Sequence, residues 1–445
     1  MVKKRFISIA MILLILSGIV GGCSTNNAPH PNFLIIITDD QRYDTMQYMP
    51  DTQAGIFDQG VTFSRGYVTT PFCCPSRSSI FTGMYAHNHQ VYENNDPLNI
   101  ETVMFALNES GYYTGLVGKY LNSWVGEPRP EFDSWVAFRS GESAYKDPEL
   151  NVDGEWGIHP GYITYILSDY AIEFLDKASR QPEPFILIFA PNAPHTPTTP
   201  AAEDLPLYDQ LPEYTAPSLN EEDTSDKPAS ISNKQLLNED ELKHLDDVRR
   251  RQILTLVALD RKIGEILDKL KETGQLDNTV IIFLSDNGLH LGEHRLDVKS
   301  SLYEESSHVP FAMRYPALVP TPYVDDRLVA NIDIAPTLYE LAGIRIPYRV
   351  DGRSLLDLFK PGGKWRDRIL LEAWPPRGFW SANHTGRYVY AETEGDLSEF
   401  YDLEVDPYQL DNQIDNPDYQ DIIAKMKKQL EKDRKPKFFF SNLFK

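Results

Sequence analysis

The polar residues best suited to chemistry stand where apolar runs stop. Residues 33–38 (FLIIIT) are followed by Asp39 and Asp40. Residues 185–190 (FILIFA) lead to Pro194-His195-Thr196-Pro197, and residues 280–285 (VIIFLS) run into Asp286-Asn287-Gly288. Two carboxylates after one run and an Asp-Asn pair after another are hard oxygen donors, a set that suits Ca²⁺ or Mg²⁺ better than zinc. Each pair alone is an ordinary turn sequence. Their recurrence at the ends of similar runs is what points to a cation. A further feature is the adjacent pair Cys73-Cys74, followed by Pro75, Ser76 and Arg77. Neighbouring cysteines sit too close for a relaxed disulfide, so the pair suggests reactivity rather than cross-linking. Pro75 fits the first turn of a helix, whose free N–H groups and positive dipole end would favour an anion beside Cys73.

The elements that must position these residues follow from pattern. The runs are apolar throughout rather than alternating, which predicts buried, parallel strands. Residues 162–178 and 241–273 carry apolar side chains at helical spacing, with Gly274 as a stop. Strands alternating with helices predict an α/β architecture, with ligands at the carboxyl ends of the strands. Residues 214–240 are polar and acidic and read as an exposed insertion. After about residue 355 the texture changes. Residues 368–374, 386–391 and 399–403 predict short antiparallel strands, and residues 419–432 an amphipathic helix. The expected layout is a catalytic domain over residues 31–355 and a C-terminal subdomain over 356–445.

The 445-residue chain carries 43 Lys and Arg against 65 Asp and Glu, a net charge of −22, which disfavours nucleic acid as a partner. At the N-terminus Lys3, Lys4 and Arg5 precede an apolar run over residues 6–20 and then Gly21-Gly22-Cys23. That run is shorter than the roughly 20 residues a spanning helix needs. The pattern resembles a bacterial lipoprotein signal. It implies removal of residues 1–22, lipid on Cys23, and an exported protein held at a bacterial membrane, in the periplasm or at the cell surface.

Residues 73–83 (CCPSRSSIFTG) resemble the sulfatase signature Cys-x-Pro-Ser-Arg-x-x-x-x-Thr-Gly at every fixed position: Cys73, Pro75, Ser76, Arg77, Thr82 and Gly83. The resemblance implies an alkaline phosphatase-like fold. Its large, mixed, mostly parallel sheet is flanked by helices and joined to a smaller C-terminal antiparallel sheet with a helix. It also implies that a maturation enzyme oxidises Cys73, not Cys74, to formylglycine. Asp39, Asp40, Asp286 and Asn287 match the family's metal ligands, usually for calcium, with residue 73 beside the ion. Lys119 (in GLVGKYLN), His195 and Lys299 match its sulfate-binding and proton-transfer positions, and residues 399–412 match its C-terminal segment. CCPSRSSIFTGMYAHNH and GKYLN look closest to the N-acetylglucosamine-6-sulfatases and heparan endosulfatases. There is a departure. Many sulfatases carry a histidine two or three residues after the lysine, where this chain has Leu121 and Asn122. The base for the formylglycine hydrate is therefore left unassigned.

Sulfate ester cleavage needs an activated nucleophile, charge neutralisation and a proton for the leaving oxygen. The implied hydrated aldehyde offers two hydroxyls, one to attack sulfur and one to expel sulfate afterwards. Arg77, permanently charged with several donors, suits the nucleophile's oxygens and the metal carboxylates. His195 is the candidate general acid and Lys299 the alternative. Further candidates for substrate contact are His294, His87, His89 and Trp124, the last as a platform for a sugar ring. Their bland readings are a loop histidine, structural histidines and a core tryptophan. His290 and His294 have the spacing of a zinc pair, but the glutamate order of a zinc protease is absent. The expected function is hydrolysis of sulfate esters on a sulfated oligo- or polysaccharide. The alternatives are a phosphonate or phosphate monoester hydrolase of the same superfamily and a non-catalytic glycan-binding surface lipoprotein.

Overall fold

A computed structural model describes residues 30–376 and 378–436. The leader and Cys23 lie outside the described residues.

A ten-stranded sheet forms the body. Its order is Tyr323–Asp325, Val61–Phe63, Phe311–Arg314, Thr279–Ser285, Asn32–Thr38, Phe185–Ala190, Tyr113–Gly118, Ser134–Ala137, Glu149–Val152 and Glu155–Ile158. The five strands from Thr279–Ser285 to Ser134–Ala137 are mutually parallel, and antiparallel pairs flank them on both sides. The three apolar runs are therefore neighbours at the sheet's centre, and every residue in them is buried. Both faces are covered, which is why the runs do not alternate. Phe33, Ile35, Ile37, Val280 and Ile282 enter one core, whereas Leu34, Ile36, Ile281 and Phe283 enter the other. Each such fully buried side chain contributes roughly 1.5–3 kcal/mol.

Helices Cys73–Thr82, Val103–Glu109 and Ile334–Leu341 cover the first face, and Ile163–Ala178 and Glu239–Glu272 the second. The last is started by Asn238, whose side chain accepts from the backbone N–H groups of Asp240 and Glu241 while Glu241 answers as a capping box. Gly274, at φ +72°, follows its end.

Strands Ile369–Ala373, Trp380–His384, Tyr388–Thr393 and Ser398–Asp402 form a separate antiparallel sheet, backed by helix Gln420–Asp433. The Trp380–His384 strand (WSANH) was not among those predicted. Residues 214–240 also differ from expectation. Ser218, Glu221, Thr224, Lys227 and Ile231 are buried, because this polar segment is spent on internal partners rather than water. Asn220 N–H donates to Gly292 O at 2.8 Å, and Lys227 Nζ donates to Leu410 O at 2.7 Å. The segment ties the 290s loop to the C-terminal sheet.

Candidate active site

Strand register assembles the site. Thr38 lies opposite Ser285, Ile36 opposite Phe189 and Gly118 opposite Ala190, so four adjacent strands end at one level. Asp286 N–H donates to Thr38 O at 3.0 Å, Asp39 N–H to Ala193 O at 3.2 Å and Lys119 N–H to Ala190 O at 2.7 Å. The chain turns at Asp40 through the left-handed region (φ +67°), a conformation that costs energy for a non-glycine residue and recurs at functional sites. Lys119 approaches closely because Gly118 precedes it. A Cβ on Gly118 would lie 2.0 Å from Ala190 O.

Cys73 is the first residue of its helix rather than the one before, and Phe72 is the cap. One expected free N–H is taken, since Cys74 N–H donates to Asn94 Oδ1 at 3.1 Å. Cys73 Sγ lies 2.9 Å from Lys299 Nζ and 3.8 Å from Asp39 Oδ1. Lys119 Nζ donates to Asp39 Oδ2 at 2.7 Å, and Lys299 Nζ also bonds Asp40 Oδ1. Arg77 Nε donates to Asp286 Oδ2 at 2.7 Å and its NH1 to Lys119 O at 2.9 Å. His195 Nε2 stands 3.7 Å from Asp40 Oδ2. Its Nδ1 is 2.7 Å from Thr196 O, and since a carbonyl only accepts, Nδ1 carries the proton there.

Burial works against the charges of Asp39, Asp40, Arg77, Lys119 and Lys299, and the pairing overcomes it. Asp39 is held below the usual carboxylate range by Lys119 and His195, and Asp40 by Lys299 and His195. Lys119 and Lys299 are pushed up in turn, by Asp39 and Asp40 respectively. Burial pushes the Cys73 thiol up to about 12, despite the two lysines.

The donors fit a hard divalent cation. Asp39, Asp40, Cys73 and His195 each offer an atom within 4.8 Å of the others. Asp286 Oδ1 reaches the same place, accepting from Asp40 N–H at 3.2 Å. Asn287 spends its Nδ2 on Asp40 Oδ1 and Gly288 O, which leaves its Oδ1 buried with no partner. An orphaned amide oxygen among carboxylates is what a calcium-type site provides.

The other candidates are elsewhere. His294 is buried rather than on an exposed loop. Its Nδ1 is 2.6 Å from Glu221 Oε2, its ring stacks on Tyr303, and burial pushes its pKa down to about 3. His87, on the short helix Ala86–His89 that follows the signature helix, pairs with Glu372 at 2.9 Å and so joins that turn of the chain to the C-terminal sheet. His89 accepts Val91 N–H at Nδ1 and faces Ser79 Oγ with Nε2. Trp124 packs against Trp135 and Trp156 and donates to Glu127 O, so it is core rather than a sugar platform. His290 and His294 lie in no metal cluster among the described residues. Conversely, a cavity of about 410 Å³ opens beside Asp40, His195 and Lys299, and its walls include Asn94, Asn122, Glu142, His244 and Asp297. Only Asn122 had drawn notice in the sequence, as a missing histidine. Asn94, Glu142 and Asp297 come from separate loops and His244 from the start of helix Glu239–Glu272, and none carries a local signal.

Comparison with known proteins agrees with this geometry. The family model "Sulfatase" matches residues 31–344, and the model "N-sulphoglucosamine sulphohydrolase, C-terminal" matches residues 292–436. A Caenorhabditis elegans homologue of extracellular sulfatase Sulf-1 is 34% identical over 401 residues, 83% of this chain and 56% of its own length. The chain thus spans about half of that relative. The N-acetylglucosamine-6-sulfatase of Homo sapiens is 31% identical over 398 residues, 82% of this chain and 71% of its own. A solved structure in complex with its substrate D-glucosamine-2-N,6-O-disulfate shares the fold with a TM-score of 0.80 at 24% identity, covering 91% of this chain and 97% of that one. With the signature cysteine set among the lysines and carboxylates, and the family model matched over most of the chain, the protein belongs to the sulfatase family.

Proposed function

We propose that this chain hydrolyses a sulfate ester on a saccharide, with residue 73 carried as formylglycine and Ca²⁺ held by Asp39, Asp40, Asp286 and Asn287. The observation that carries the reading is the place of Cys73, at the start of a buried helix with its Sγ 2.9 Å from Lys299 Nζ. With a pKa of about 12, the thiol itself stays protonated near neutral pH and is a poor nucleophile. Its Sγ marks where the hydroxyl oxygens of the hydrated aldehyde would stand.

When bound, the two groups supply an attacking hydroxyl and neutralisation of charge on the sulfate. The chain's own residues do the rest. Lys299, beside the nucleophile position, and Lys119 offset the negative charge of the sulfate oxygens. Arg77 fixes Asp286 and, through Lys119 O, the lysine's backbone. His195 keeps its Nδ1 proton on Thr196 O, so it serves the leaving oxygen as the imidazolium, whose second proton sits on Nε2 and is the one given up. A saccharide is supported by the human relative's name and by the substrate of the structural neighbour.

Peptide mass spectrometry of protein made with the maturation enzyme is expected to show the aldehyde or its hydrate at Cys73 and a thiol at Cys74. The same preparation is expected to release sulfate, faster than phosphate from a paired ester, and to lose turnover to a chelator. Oxidation confined to Cys74 with activity intact, or phosphate released faster than sulfate, would sink the reading. We also propose export and anchoring through lipid on Cys23. Fatty-acid labelling should mark the wild-type chain and not Cys23→Ala, and label persisting on the variant refutes the anchor.

A further inference from the structure

The cavity beside the cluster is where the rest of the substrate must sit, and its mouth is acidic. Glu142 and Asp297 both line it and are both exposed. Asp297 arrives on the loop that carries Lys299, and Glu142 on the loop after strand Ser134–Ala137, which packs against Lys119. Asp297 precedes Lys299 by two residues, in a segment held by the bond from His290 N–H to Val298 O at 3.0 Å. Glu142 follows Gly141, which presses on the other lysine. A Cβ at residue 141 would meet Asn122 Nδ2 at 2.5 Å and Lys119 Cε at 2.9 Å, and the residue sits at φ +73°. The absent side chain therefore lets this turn close on Lys119 and delivers Glu142 to the mouth. Among the described residues neither carboxylate takes part in an ion pair. The third side chain at the mouth, His244, comes from the start of helix Glu239–Glu272.

These carboxylates discriminate by simple chemistry. An ionised carboxylate only accepts hydrogen bonds, so it welcomes hydroxyl, amide N–H or ammonium donors on a sugar. A sulfate offers acceptors and negative charge, and is repelled. The scissile sulfate escapes this because Lys119, Lys299 and the cation site receive it deeper in. A second sulfate on the same sugar would meet Glu142 or Asp297 with no lysine of its own.

Resting on the sulfatase reading, we infer that Glu142 and Asp297 make the site selective for a singly sulfated sugar, with donor groups at the ring positions that face the mouth. They exclude sugars carrying a second sulfate. This sets the chain apart from its structural neighbour, whose substrate carries two sulfates.

Binding separates the selectivity from the reaction. The probes are N-acetylglucosamine 6-sulfate and glucosamine 2-N,6-O-disulfate, titrated calorimetrically into the full chain with Ca²⁺ and the Cys73 thiol retained, so that no turnover intervenes. The wild type is expected to bind the monosulfate about tenfold or more tightly at low salt. The gap should narrow at about 0.5 M salt, where charges at the mouth are screened. The shape-conserving pair Glu142→Gln and Asp297→Asn together should remove most of it. A disulfate bound as tightly as the monosulfate, no binding of either sugar, or a gap that survives both salt and the double variant overturns the inference. If the double variant does not fold, the salt dependence of the wild type decides. Sulfate release from 4-nitrophenyl sulfate by the matured protein tests the reaction separately. Its failure with the binding gap intact would remove the sulfatase reading and not the selectivity.

Discussion

In the proposed reaction His195 and Lys299 are the two candidates for the proton of the leaving oxygen, and their surroundings separate them. The Lys299 ammonium is shared between Asp40 and Cys73, and Asp40 holds its proton well above the usual lysine range in spite of burial. A proton held that firmly is given up slowly, and its better use is as fixed positive charge. His195 has Nε2 uncommitted except for Asp40 Oδ2 at 3.7 Å. An alkyl sulfate leaves poorly unless protonated, whereas an aryl sulfate leaves as a phenolate. General acid catalysis is typically worth about 10²–10⁴-fold. We therefore expect His195→Ala to lower kcat/KM for a sugar sulfate by about that factor while affecting an aryl sulfate far less. Lys119→Ala should depress both alike. The comparison is made with both substrates under conditions where chemistry limits the rate. Equal losses in His195→Ala, with the unequal pattern in Lys299→Ala, would move the acid to Lys299.

The signature helix Cys73–Thr82 has no solvent face, since all ten of its residues are buried. Several of its polar side chains find partners inside the protein, whereas Ser78 Oγ is buried without one among the described residues. Asn331 Nδ2 donates to Ser76 Oγ at 2.9 Å, Thr82 Oγ1 donates to Ser78 O at 2.7 Å, and Ser79 faces His89 at 3.1 Å. Gly83, in the left-handed region at φ +72°, ends the helix with its N–H on Ser79 O. His89 is locked neutral by this arrangement: it accepts at Nδ1, and burial pushes its pKa down to about 3. Below the ordinary value of 6.5 the unfolded chain binds a proton at His89 and the folded chain does not. The stability present above pH 6.5 is therefore lost as the pH falls toward 3, by on the order of 3 kcal/mol at about pH 4. His89→Gln lacks this titration. Its stability deficit against the wild type, measured by urea unfolding, should narrow by that order between neutral pH and about pH 4. A deficit independent of pH would contradict the assignment.

Across the whole molecule, the C-terminal sheet is fastened to the segment that carries Lys299. Trp380 Nε1 donates to Ser300 O at 3.0 Å, His384 Nε2 lies 2.9 Å from Glu304 Oε1, and the hydroxyls of Tyr303 and Tyr401 both donate to Glu399 Oε1, at 2.7 and 2.8 Å. Glu399 is buried, and its pKa is pushed up to about 7 by that burial, against the two hydroxyls. Glu399→Ala would leave two hydroxyls inside without an acceptor. Each such loss costs about 1–3 kcal/mol. We expect a drop of about 2–4 kcal/mol in chemical unfolding, together with a fall in kcat/KM as the Lys299 segment loosens. Glu399→Gln keeps an acceptor and should recover most of both. An alanine variant as stable and as active as the wild type would show that the two parts act independently.

What the sequence determined by itself lies in the strands and in one motif. Residues 33–38, 185–190 and 280–285 were readable as central parallel strands because a strand covered on both faces has no polar side to disguise it. Asp39, Asp40, Asp286 and Asn287 were readable as oxygen donors gathered at one end of the sheet because they follow those strands directly, and Cys73 stood out because the residues around it form one continuous motif. The tertiary structure decided everything that depends on partners distant along the chain. The strand Trp380–His384 hides because Asn383 and His384 are buried polar residues, whose Nδ2 and Nε2 meet Met426 O and Glu304. His294 leaves the site because Glu221, within a segment that looked like a surface insertion, folds inward to meet it. Glu142, His244 and Asp297 share a cavity mouth although more than fifty residues separate each from the next. Periodicity and motif record a residue's surroundings along the chain. Burial, pairing and the walls of a cavity are set by which strand ends the register brings level, and that emerges only when the sheet closes.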